Sequence, residues 1–177
     1  MHGDPLYCIL ELMKHVNLHY QKLLNKKTNM KIVKIIQWDM GHRVLNHRSI
    51  CKGLHGHRYK VEICISGDLV SESGASEEGM VIDFADIKKI SKQFIHEKLD
   101  HAFMVWEKDE ELLRFFDETE GHKPVIVPFT PTAENVAAYI FNTLKNKFED
   151  VYKTGLHLHS IKLWETPTSF ALHEKME

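Results

Sequence analysis

The chain has 177 residues, 43% of them hydrophobic and 27% charged, with a formal net charge of -2. That length suits one domain able to bury a core, and the near-neutral balance argues against a nucleic-acid or membrane-surface protein. No run approaches 18 uninterrupted apolar residues, and the amino terminus lacks the apolar stretch of a secretory signal, so neither a transmembrane helix nor export is expected.

In residues 1–29, Ile9, Leu12, Met13, Val16, Tyr20, Leu23 and Leu24 recur at helical spacing, and Lys22, Lys26 and Lys27 give a basic end. The segment reads as a helical N-terminal extension before a single domain over 30–177. It is either an extra packing helix or sequence upstream of a second start at Met30. The three cysteines, Cys8, Cys51 and Cys64, are widely spaced and odd in number, which fits a reducing, cytoplasmic compartment.

From Met30 to Met40 the run M-K-I-V-K-I-I-Q-W-D-M is rich in β-branched residues and reads as a strand. A polar loop through Asn46 and Ser49 leads to C-K-G-L-H-G-H at 51–57. A second strand, R-Y-K-V-E-I-C-I, follows with strict alternation. His55 and His57 are two residues apart at its start, so both imidazoles point to one face. They could be a chance pair in a chain of 13 histidines, or two of the three protein ligands of an open zinc site. If the strands pair antiparallel, His42 meets them from the end of the first, and three histidines together favour a site. Cys51, in the preceding loop, could lie beside such a metal.

Asp83 is a plausible cap, with Asp86 three residues on, for an amphipathic helix marked by Ile87, Ile90, Phe94 and Ile95 that stops near Leu99. Asp100-His101 follows, either an ordinary helix-end pair or a carboxylate holding a histidine in one tautomer as an acid/base. Ala102–Trp106 reads as a short strand. Residues 107–117 read as an acidic helix burying Leu112, Leu113, Phe115 and Phe116, and 123–129 as a proline-bracketed edge strand. Thr132 caps a further helix with Val136, Tyr139, Ile140, Thr143, Leu144 and Phe148 on its apolar stripe. The last strand, 157–166, carries Glu165 on the face of Ile161 and Leu163. That carboxylate is either at an exposed strand end or anchors a ligand.

Two helices on one face of an antiparallel sheet make an α+β domain. Six separated motifs carry a resemblance: D-M-G-H-R at 39–43, C-K-G-L-H-G-H-R-Y at 51–59, G-M-V-I-D-F at 79–84, L-D-H at 99–101, P-T-A-E-N at 131–135 and W-E-T at 164–166. In this order they resemble the 6-pyruvoyl-tetrahydropterin synthase family. Within it the three-residue gap between Cys51 and His55 is similar to the carboxy branch of queuosine biosynthesis. The resemblance implies a tunnelling fold, with a four-stranded antiparallel sheet, two helices on one face, and assembly into a barrel as a homo-hexamer. It implies zinc on His42, His55 and His57, catalysis by Cys51 and by His101 with Asp100, and a pterin held by Glu165, with Thr132 and Glu134 lining the pocket. The implied substrate is 7,8-dihydroneopterin triphosphate, and the implied product is 6-carboxy-5,6,7,8-tetrahydropterin, with triphosphate and acetaldehyde released. Arg43, Lys52 and Arg58 are candidates to attract the triphosphate.

Three alternatives stand beside this reading. One is a synthase of the pyruvoyl branch, which eliminates triphosphate only. Another is a closed, non-catalytic zinc module with Cys51 as fourth ligand. A metallohydrolase barrel would need about 250 residues, more than the chain has.

Overall fold

A computed structural model describes residues 6, 9–10, 12–16, 29–148 and 155–175. Of the N-terminal segment, Leu6, Ile9, Leu10 and residues 12–16 are helical and exposed. The rest of the expected helix, with Cys8, Tyr20, Leu23 and Leu24, lies outside the described residues.

The frame is a long hairpin. Strand β1 (Met30–His42) runs antiparallel to β2 (His55–Gly67) over its whole length, from Met30 opposite Gly67 to His42 opposite His55. Alternation then assigns the faces. Trp38, Met40 and His42 of β1, with Tyr59, Val61, Ile63 and Ile65 of β2, are buried under the helices. Val33, Ile35, Gln37, Asp39, Arg58, Lys60 and Glu62 take the other face.

Strand β5 (His157–Thr166) pairs antiparallel with β2, and β6 (Ser169–Glu174) folds back on β5 across Pro167-Thr168. On the other side β3 (Ala102–Trp106) joins the end of β1 in parallel, through Ala102 to Met104 opposite Met40 to His42. Strand β4 (Pro124–Val127) adds parallel to β3. The sheet is therefore six-stranded and mixed, in the order β4-β3-β1-β2-β5-β6, and not the expected four-stranded antiparallel sheet. A parallel neighbour needs a long crossover. Helix α1 (Phe84–Ser91), continued by a π-turn at Lys92–His96 and a last turn at Glu97–Leu99, supplies the one from the hairpin to β3.

The expected caps form: Asp83 accepts from the Ala85 N–H at 2.7 Å, and Thr132 accepts from the Asn135 N–H at 3.4 Å. Ile87, Ile90, Ile95 and Leu99 pack into the core, as do Val136, Ala137, Ile140, Phe141 and Leu144 of α3 (Ala133–Leu144), which lies across β5 and β6. Between them α2 (Glu110–Glu118) buries only Leu112, and Phe115 is 43% exposed, contrary to the apolar face expected there. Its aromatics pack instead on each other, on His122, and, through Phe116, on Phe103.

Candidate active site

The hairpin register brings His42, His55 and His57 together. Their ring centroids are 4.5, 5.2 and 5.1 Å apart, and one nitrogen from each lies within 4.8 Å of the others. The backbone decides which nitrogens are available. His42 Nδ1 is 2.6 Å from the Pro131 carbonyl, and His55 Nδ1 is 2.8 Å from the Gly53 carbonyl. A carbonyl oxygen only accepts, so both Nδ1 atoms carry a proton, and in the neutral ring it is Nε2 that offers the lone pair. Metal-binding histidines are held by such outer partners. Burial pushes the His42 pKa down, with help from the neighbouring imidazoles, against the opposing pull of Pro131 and Glu165. A neutral imidazole is the form that ligates. Three imidazole nitrogen donors suit a late first-row divalent ion and leave further coordination positions free.

Tyr59 and Glu165 complete this end of the sheet. Tyr59 follows His57 by one strand period and is fully buried, stacked on Trp38 at 5.8 Å. Its hydroxyl lies 3.3 Å from His42 Nε2 and 3.4 Å from Glu165 Oε1, and Glu165 Oε1 is 3.6 Å from His42 Nε2. Burial and then the Glu165 charge push the Tyr59 pKa up, so it stays a donor. Among the described residues no lysine or arginine pairs with Glu165. This half-buried carboxylate lines a cleft of about 470 Å³ with His57, Gln37, Arg58, Lys60 and Trp164. A cleft carboxylate that no lysine or arginine engages is suited to take N–H donors from a ligand.

Asp100 and His101 form a dyad beside the triad. Asp100 Oδ2 is 2.9 Å from His101 Nδ1, while the Asp39 N–H donates to Asp100 Oδ1 at 3.3 Å and the His101 N–H donates to the Asp39 carbonyl at 2.8 Å. Burial works against the Asp100 charge, but His101 and the Asp39 N–H outweigh it and hold its pKa below the ordinary carboxylate value. His101 has φ 57, a left-handed conformation unusual for a non-glycine residue, and its side chain is 80% exposed. Lys123 braces the turn by donating to the carbonyls of Glu97 and Asp100. A second cleft runs from His101 past the facing glycines Gly41 and Gly56 to His57, so one residue of the dyad and one of the triad border the same opening.

Cys51 lies in a one-turn 3-10 helix, Ile50–Lys52, half-buried, with its carbonyl accepting from the Val44 N–H at 2.8 Å. Among the described residues its thiol is not part of the metal-ligand cluster, and no hydrogen bond links it to the triad or dyad. Thr132 is half-buried at the head of α3, next to the Pro131 carbonyl that holds His42, and Glu134 is exposed. Neither lines the two clefts.

Arg43 is corrected as a phosphate candidate. It forks onto the buried Asp109 at 2.7 and 2.5 Å and also reaches Glu111 at 2.8 Å, so two carboxylates already neutralise it. Arg58 is forked onto Asp39 at 3.0 and 2.9 Å but is exposed at the cleft rim, and Lys52 is exposed. Sequence reasoning missed Tyr59, although alternation from His55 and His57 carries it onto the same face. It also missed Asp109, for which no local pattern gives a signal.

A model of the 6-pyruvoyl tetrahydropterin synthase family matches residues 31–175. The chain is 41% identical over 148 residues to the 6-carboxy-5,6,7,8-tetrahydropterin synthase of Haemophilus influenzae, covering 82% of this chain and 99% of that one. It is 30% identical over 164 residues to the protein of that name from Aquifex aeolicus, covering 82% and 98%. Among solved structures, an uncharacterized protein from Wolinella succinogenes superposes with a TM-score of 0.69 at 23% identity, covering 83% of this chain and 98% of that chain. The 6-pyruvoyl tetrahydropterin synthase of Caenorhabditis elegans gives 0.59 at 21%, covering 85% and 98%. At such identities these two structures speak for the fold alone.

Proposed function

Because the chain belongs to the 6-pyruvoyl tetrahydropterin synthase family, we propose that it is a zinc-dependent enzyme converting 7,8-dihydroneopterin triphosphate to 6-carboxy-5,6,7,8-tetrahydropterin, with release of triphosphate and acetaldehyde. The observation that carries the reading is the triad of His42, His55 and His57 beside Glu165, in a chain 41% identical to a carboxy-forming synthase along nearly all of that relative's length. The carboxy product feeds 7-deazaguanine (queuosine) biosynthesis in this reading.

His42 and His55, through Nε2, and His57 would hold the zinc. Zinc supplies a Lewis acid that acidifies the protons of the substrate's side-chain hydroxyls and adjacent carbons. Glu165 accepts the pterin's amino and ring N–H groups, which match its two oxygens. His101 exchanges a proton at Nε2, because Asp100 engages Nδ1. The Cys51 thiol serves as the other base, and Thr132 and Glu134 complete the pocket wall. Absence of Cys51 from the metal-ligand cluster favours this open site over a closed four-ligand module.

Residues 30–177 are the synthase domain, since the family match spans 31–175, and 1–29 are an extension. Self-association into a hexameric barrel fits the apolar side chains left exposed, Val33 and Ile35 on the outer sheet face and Phe170 and Leu172 on edge strand β6. Among the described residues no helix is long and apolar enough to cross a membrane, and the enzyme is read as cytoplasmic. The test is turnover of dihydroneopterin triphosphate by zinc-loaded and chelator-stripped protein. Activity should require the metal, and a fully zinc-loaded protein without turnover would overturn the assignment.

A further inference from the structure

We infer that Tyr59 couples metal loading to pterin binding, by giving its single hydroxyl proton to His42 without metal and to Glu165 with it. The inference rests on the reading of the triad as a zinc site and of Glu165 as the pterin anchor.

Three features of the geometry lead here. First, the hydroxyl stands between two acceptors at nearly equal distance, His42 Nε2 at 3.3 Å and Glu165 Oε1 at 3.4 Å. A phenol has one proton to donate, so only one of these bonds is made at a time. Second, His42 cannot change its tautomer to suit. Its Nδ1 proton is committed to the Pro131 carbonyl, so in the neutral ring Nε2 presents its one lone pair. That lone pair accepts from Tyr59 or binds a metal, and cannot do both. Third, the ring is clamped. It is fully buried, stacked on Trp38, and set edge-on to His42 at 6.0 Å and to His57 at 5.7 Å. The hydroxyl therefore responds to metal by turning its proton and not by moving away.

Without metal the proton goes to His42 Nε2, and Glu165 lacks this donor. With metal Oε1 is the one of these two acceptors still open, and the carboxylate gains a hydrogen bond that orients it toward the cleft. The remaining carboxylate lone pairs stay open for the pterin N–H groups. A pterin then binds more tightly to loaded protein without touching the metal, and linkage requires the metal to bind more tightly in the presence of the pterin by the same factor. Tyr59 is thus a positioning residue for Glu165.

The test uses 6-methyl-7,8-dihydropterin, which has no side-chain hydroxyls to reach the metal and no phosphates. Its affinity is measured by calorimetry for full-length wild type and Tyr59→Phe, each stripped and zinc-loaded, with metal content measured alongside. A gain of one directed hydrogen bond predicts about five-fold tighter binding to loaded wild type and no zinc-dependent gain in Tyr59→Phe. An equal gain in the variant, or none in the wild type, overturns the inference. Should Tyr59→Phe fail to fold, the reciprocal measurement on wild type decides. Zinc affinity should rise about five-fold with saturating pterin, and an unchanged zinc affinity contradicts the coupling. Turnover of the triphosphate substrate by wild type is scored separately, so loss of the coupling with turnover intact leaves the proposed enzyme standing.

Discussion

His42 and Pro131 are 89 positions apart in the chain and 2.6 Å apart in space, where the imidazole Nδ1–H donates to the proline carbonyl. Pro131 stands one residue before the cap of α3, so the head of that helix sets the tautomer of a histidine at the end of β1. The geometry of the histidine triad thus depends on the packing of α3 against the sheet as well as on the hairpin.

Removing a ligand should empty the site. His42→Ala and His55→Ala are expected to lose most bound zinc, by elemental analysis after dialysis against a weak chelator. Cys51→Ala is expected to keep full occupancy while losing turnover. Zinc lost from Cys51→Ala would make the thiol a ligand and the site closed.

Arg43 and Asp109 make a structural ion pair. Asp109 is 2% exposed, takes two of the three guanidinium contacts and caps α2 by accepting from the Leu112 N–H at 3.2 Å. Truncation leaves a largely buried guanidinium without its main partner, so Asp109→Ala should cost about 3 kcal/mol in urea unfolding. A loss below about 0.5 kcal/mol, the range of ordinary surface changes, would remove the pair from the account.

The same pair gives a pH dependence. Burial alone would raise the Asp109 pKa, but Arg43 and the Leu112 N–H hold it below the ordinary value. A carboxyl depressed on folding contributes stability above its unfolded pKa of about 3.9 and loses it as pH falls through the folded value. Wild type should therefore weaken on acidification below about pH 4. Asp109→Asn, with no carboxyl to titrate, should show a shallower fall, and parallel curves would contradict the assignment.

Gly41 is fixed by close approach. A Cβ there would press on the Phe103 ring, 2.7 Å from Cε2, and Phe103 is backed by Phe116 at 5.5 Å. Gly41→Ala should destabilise by about 1–3 kcal/mol, as overpacking does. Adding Phe103→Leu should recover part of the loss, and additive costs in the double variant would show that the ring is not the obstacle.

The clustering of the three histidines was legible in the sequence because it follows from local rules. Strand alternation aligned His55 with His57, and hairpin pairing brought in His42. The caps at Asp83 and Thr132 were equally local. What the sequence hid was non-local or reversed in polarity. Strand β3 joins the sheet by three residue pairs in parallel, and nothing in A-F-M-V-W names β1 as its neighbour. In β6 the outward residues Phe170 and Leu172 are the apolar ones, so the expected inside-outside pattern ends at Pro167 and the strand went unseen. The partner of Arg43 lies 66 positions away, and α2 turns Phe115 toward solvent against the reading of its pattern.

The proposed reaction is carboxy-forming synthesis at the His42, His55, His57 and Glu165 site. It is tested most directly by counting products from 7,8-dihydroneopterin triphosphate with zinc-loaded protein. Acetaldehyde and triphosphate should appear in equal amounts, with 6-carboxy-5,6,7,8-tetrahydropterin as the pterin identified by mass. Triphosphate released with a pyruvoyl pterin and no acetaldehyde, or no product at full zinc occupancy, would contradict it.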